Sequence, residues 1–155
     1  MKHLALVIAA GLVSIAPAAA QWGGGYNMGT IGVSGGDEAG GMIIINCAEA
    51  GNPVVPQGAL SIFLKPAADS AIGQASPGQL SFNVDGTDIV LPVSDDKGDG
   101  FVFDKTPETL AGASQLIDLL KAGDRLTVTA GGSAIATIDL AGAGAALDGI
   151  EACLV

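Results

Sequence analysis

Cys47 and Cys153 are the only cysteines of the 155-residue chain, and they stand 106 positions apart. If they join, almost everything that can fold is tied into one loop. An even cysteine count in an exported chain is usually a disulfide, because the compartment is oxidising and free thiols do not persist there. On a chain-entropy view, closing a loop of roughly 100 residues contributes about 4.7 kcal/mol. Such a staple matters in a chain with 24 glycines and only six aromatic residues, Trp22, Tyr26, Phe63, Phe82, Phe101 and Phe103.

The start of the chain supplies the export argument. Met1-Lys2-His3 is a short basic opening, Leu4 to Ile15 is apolar, and Ala18-Ala19-Ala20 is a small-residue exit. Together these read as a cleavable Sec-type signal over residues 1–20. The apolar run is shorter than the roughly 20 residues of a membrane span, so no span is expected after cleavage. No cysteine sits at the cleavage point, which argues against a lipoprotein, and the expected address is periplasmic or secreted. Cleavage of 20 of the 155 residues leaves 135 beginning at Gln21; it takes Lys2 away, so the formal charge of −10 becomes −11.

Cleavage also removes His3, the single histidine. The exported chain then lacks imidazole for Ser-His-Asp or Cys-His catalysis, for histidine zinc sites and for histidine pH switching. With 16 Asp and Glu against 6 Lys and Arg, broad contact with nucleic acid is excluded as well, since phosphate affinity comes from clustered cations.

Residues 21–41 are glycine-rich and expected to be partly flexible, with a short strand possible over Met28 to Val33; a single β-rich domain is expected over 42–155. Met42 to Cys47 reads as a strand buried on both faces, and Leu60 to Lys65 as a second. Leu80 to Val84 alternates with period two, turns at Asp85-Gly86 and returns over Asp88 to Val93, where Pro92 marks an edge. A polar turn then leads into Phe101-Val102-Phe103. Thr106-Pro107-Glu108 starts a helix that carries Leu110, Ala113, Ile117 and Leu120 on one face and stops at Gly123. A second hairpin turns at Gly131-Gly132, and Ala143 to Leu154 reads as a closing helix that turns Cys153 inward. The fold class is α+β, mainly β: an antiparallel sheet or sandwich with one mid-chain helix, a C-terminal helix and one disulfide.

Candidate chemistry is sparse. Asp95, Asp96 and Asp99 resemble the start of a calcium loop, because hard cations take several carboxylate oxygens from one tight turn. Lys97 stands at a ligand position and Thr106 replaces the closing glutamate. The bland alternative is a solvated acidic edge that discourages aggregation. Gly142-Ala143-Gly144 imitates a dinucleotide turn, but the third glycine and a following strand are missing. Asp85-Gly86-Thr87 has the letters of an aspartic-protease motif in the wrong order. Ser61 and Lys65 share a strand face without signs of the buried lysine that a Ser-Lys nucleophile needs. Trp22 and Tyr26 are candidate partner-binding aromatics.

The strand Met42 to Cys47, Leu60 to Leu64, the helix Leu110 to Leu120, Gly123 to Val128, and Ala136 to Gly142 with Ala146, Leu147 and Cys153 come in an order similar to that of a known family. Over Met28 to Cys153 the chain resembles the C-terminal domain of small periplasmic proteins of the VasI/TagO type, accessory components associated with type VI secretion. Asn46 stands where that pattern has a basic residue, and a cysteine-containing N-terminal region is missing. The resemblance implies an exported sandwich-like domain with a Cys47–Cys153 bridge. The leading expectation is a non-catalytic exported accessory or interaction module, without a cofactor, acting on an envelope or secreted protein. The rival is a carboxylate-dependent hydrolase or a calcium-dependent binder built on the acidic residues between Asp85 and Glu108.

Overall fold

A computed structural model describes residues 22–49, 52, 54–70, 72 and 77–155. The expected leader over residues 1–20 lies outside them. Ten strands and two helices follow in order: β1 Gly23–Asn27, β2 Thr30–Asp37, β3 Gly41–Ala48, β4 Leu60–Lys65, β5 Gln79–Val84, β6 Thr87–Pro92, β7 Asp95–Asp96, β8 Phe101–Asp104, α1 Leu110–Ala122, β9 Arg125–Ala130, β10 Ser133–Asp139 and α2 Ala143–Ala146. A 3-10 turn over Ile150–Cys153 closes the chain.

The strands form two antiparallel sheets. One has the order β1-β2-β3-β4-β8-β7 and the other β10-β9-β5-β6. Period-two alternation explains the packing, since every second residue of β3, β4 and β5 is buried. Ile43, Ile45, Ile62 and Leu64 from the first sheet join one core with Leu80, Phe82, Leu126 and Val128 from the second. Phe82 meets Phe103 edge to face across the sheets, with ring centroids 5.2 Å apart. Helix α1 adds Ala113, Leu116, Ile117 and Leu120 to that core. The mainly β, antiparallel two-sheet architecture with a mid-chain helix is the one that the sequence pattern implies.

The bridge is formed. Cys47 at the end of β3 and Cys153 in the 3-10 turn are bonded, with their Cα atoms 5.7 Å apart and both side chains buried. Lys105 secures the same region, donating from Nζ to the carbonyl of Cys153 at 2.7 Å and to that of Val155 at 3.2 Å. Lys121 at the end of α1 adds an ion pair to Glu151 and another to Asp148 at 3.3 Å.

Several expectations need correction. The glycine-rich residues 23–37 are not a segment apart from the domain, because β1 and β2 pair with each other and β2 pairs with β3 along its whole length. The short strand expected over Met28 to Val33 is β2, shifted to Thr30–Asp37, and β1 before it was not expected, because glycines carry no side-chain alternation. Strand β3 is buried on one face and half-buried on the other, since nothing among the described residues covers the outer side of its sheet completely. The mid-chain helix begins at Leu110, one turn after Thr106, because Thr106 and Thr109 bond each other's backbone N–H groups and hold residues 107–109 as a turn. The closing helix over Ala143 to Leu154 is broken into α2 and the 3-10 turn. Gly149 adopts φ 94°, a left-handed value that stops the helix, while Leu147, Ile150 and Cys153 still point inward.

Candidate functional site

The register of the six-stranded sheet lines up one row across five strands. Gly25 faces Gly32, Gly32 faces Asn46, Asn46 faces Ser61, and Ser61 faces Asp104. These residues lie on the face turned away from the core. At a strand spacing of about 4.8 Å the row is about 19 Å long. Its first two members have no side chains, so the sheet is bare at the β1 end. The other three supply an amide, a hydroxyl and a carboxylate on a floor fixed by strand pairing.

A trough follows this row. Its wider part, about 490 Å³, is bordered by Gly25, Tyr26, Met28, Asn46, Val54 and Val55, among others. A second part of about 420 Å³ shares Thr30, Asn46 and Val55 with it and continues past Ser61 to Asp104. The loop before β4 makes one wall, and Asn52 holds that loop in place. The Asn52 side-chain oxygen accepts from the N–H groups of Val54 and Val55 at 2.8 and 2.6 Å, while its Nδ2 donates to Thr30 Oγ1 at 2.8 Å.

The rim is apolar. Tyr26 is 64% exposed, Met28 71%, Val54 86% and Val55 42%, so four of the seven exposed large apolar side chains of the described residues border one feature. Among the described residues Asp104 is the single charged one lining the trough, at its far end. Lys97 feels the Asp104 carboxylate but hydrogen-bonds Asp95.

The two candidate aromatics part company. Trp22 is half-buried; its ring lies on Gly35, and its Nε1 donates to the carbonyl of Asp139 at 2.8 Å. It therefore anchors β1 to the second sheet, and Tyr26, which pairs with Ile31 in the row beside Gly25, is left as the exposed aromatic at the sheet edge. Sequence reading missed Asn46, Ser61 and Asp104 as one row. A polar residue inside each apolar strand was the visible signal, but only the register joins them.

The acidic residues between Asp85 and Glu108 do not gather. Asp85 accepts from the backbone N–H groups of Asp124 and Arg125 at 2.7 and 3.1 Å, fastening the β5–β6 turn to the start of β9. Asp88 accepts from Ser81 and Asn83 on the four-stranded sheet. Asp95 pairs with Lys97, and Asp96 accepts from the N–H of Gly98 at 2.8 Å. The Thr106 hydroxyl beside Glu108, helped by the residue's own N–H, holds that carboxyl below its ordinary value. Among the described residues no three His, Cys, Asp or Glu side chains are placed to hold a metal ion, so Asp95, Asp96 and Asp99 do not form the ligand set that their spacing suggested. No helix of the described residues is long and apolar enough to cross a membrane.

Fold and site together define a disulfide-stapled two-sheet protein with a peptide-sized trough on one outer face. Residues 20–147 match the family model YfjT, and the chain belongs to the YfjT family. No curated protein and no solved structure matches it.

Proposed function

We propose that this protein is an exported, non-catalytic accessory module that binds an extended segment of another envelope or secreted protein in the trough. The observation that carries the reading is the pairing of an apolar rim at Tyr26, Met28, Val54 and Val55 with a lone carboxylate, Asp104, at the opposite end. A trough of about 19 Å accommodates about six extended residues at roughly 3.3 Å each. The complementary ligand has apolar side chains at the rim and a lysine or arginine at Asp104.

Export is supported by the basic, apolar and small-residue order of residues 1–20 and by the buried Cys47–Cys153 bridge, which suits an oxidising compartment. The resemblance to VasI/TagO-type proteins supports a place in the bacterial envelope, periplasmic or beyond it. The net charge of −10 makes nucleic acid a poor partner.

The test uses two labelled hexapeptides, each with two leucines at one end and with either lysine or glutamate at the other. Fluorescence anisotropy should show saturable binding of the lysine peptide, weakened about tenfold by Val55→Asp and by Asp104→Asn. Absence of saturable binding, or equal binding of the two peptides, overturns the reading.

A further inference from the structure

Two sheets have four edges, and three of them are guarded. Strand β7 is two residues long and both are aspartates. Strand β6 ends at the exposed Pro92 and carries Asp88. The edge of β10 is covered by neighbouring backbone, since the N–H of Thr137 donates to Gly40 at 2.7 Å and the carbonyl of Ile135 accepts from Ala67 at 2.8 Å. These are the usual devices against unplanned strand pairing. Among the described residues strand β1 has none of them: its five residues are all exposed, and residues 22–36 contain no charge, in a chain whose net charge is −10.

We propose that the open edge of β1 pairs antiparallel with the β1 edge of a second copy, about a two-fold axis at Gly25. The charge pattern selects this occupant. A basic partner strand would be matched by acid on the edge, whereas two equally acidic copies need an edge from which charge has been removed. Pairing about Gly25 sets Gly24 opposite Tyr26 of the other copy, and the two residues share a face because they are two apart. The exposed Tyr26 ring of each copy then crosses the seam beside Gly24, whose side-chain face is backed by Val33 and the Ala146 carbonyl, twice by symmetry. Gly25 also lines the trough, so the two troughs meet end to end. Five residues a side bury less than the roughly 1,000 Å² of a stable interface, so the dimer forms and dissociates with concentration.

Sedimentation velocity on the protein secreted through its own leader tests this over about 1 μM to 1 mM, the span of a weak equilibrium. The expected result is a shift from monomer to dimer mass, lost in Tyr26→Asp and in Gly25→Lys. A Cβ at Gly25 meets nothing within 4 Å, so Gly25→Lys should melt with the parent, which separates edge blocking from misfolding. Monomer at every concentration overturns the proposal, as does a dimer that both variants retain. Hexapeptide binding by a protein that stays monomeric would sink the edge pairing and leave the trough reading standing; a dimer that binds neither hexapeptide does the reverse.

Discussion

The indole of Trp22 lies flat against Gly35, so close that a Cβ on Gly35 would fall 2.3 Å from the ring. That contact and the bond from Nε1 to Asp139 tie the first residue of the described fold to both sheets. Gly35→Ala must expel the ring or bend β2, and overpacking of this kind costs about 1–3 kcal/mol. Trp22 is the only tryptophan, so its fluorescence reports on one place. Gly35→Ala should melt several degrees lower with red-shifted emission. Parent-like melting and emission would show that the ring does not sit there.

The bridge gives the second expectation. The intact mass of the protein without reductant should fall short of its reduced mass by two hydrogens. Breaking the link in Cys47→Ala/Cys153→Ala should cost about 2–5 kcal/mol, because the loop it closes holds nearly the whole domain. A melting temperature indifferent to reductant, with a confirmed mass change, would remove the staple from the account of stability.

What could be read from the sequence depended on which residues carry side chains. Leu80 to Val84, Asp85-Gly86 and the returning strand were legible because alternation and turn chemistry agree there, and β5, β6 and their turn follow them closely. Strand β1 was not, and β2 only over Thr30 to Val33, because glycine has no face to alternate. The closing helix was misjudged for a related reason. Ala143, Leu147 and Ile150 keep helical spacing across the break, and the left-handed backbone at Gly149 leaves no trace in that spacing. Asn46, Ser61 and Asp104 were visible singly. Their alignment is a property of pairing register, which hydrophobic pattern fixes only to a choice of face.

The Lys121 clip predicts a pH dependence. The Lys121 ammonium bonded to Glu151, with the residue's own N–H assisting, holds that carboxyl below its ordinary value of 4.5. Its stabilisation is therefore complete above that value and lost as pH falls through the lowered folded one. Lys121 is held above its ordinary 10.5, chiefly by the bond to Glu151, so its share persists below that value and disappears as pH rises through the raised folded one. The Glu151 side chain is half exposed, so water screens the pair and Glu151→Gln should lower the melting temperature by only about 1–2 °C at pH 7. The gap should close toward pH 3. A gap that is constant with pH would mean that packing, not charge, links α1 to the C-terminal turn.

The last expectation concerns calcium. A tight acidic turn binds a hard cation when several carboxylate oxygens can converge on one point. Here the Lys97 ammonium occupies Asp95, and the Asp96 carboxylate is turned back onto the N–H of Gly98. Binding a cation would require breaking the ion pair and bringing a like charge toward Lys97, whose own value is raised chiefly by its bond to Asp95. The melting temperature should therefore be the same in millimolar calcium as in EDTA. Lys97→Ala should not create a response either, since Asp96 would still be held by its turn. A rise of several degrees with calcium, reversed by EDTA and abolished by Asp95→Asn, would show that the turn rearranges around the ion and would return the acidic hairpin to the list of functional sites.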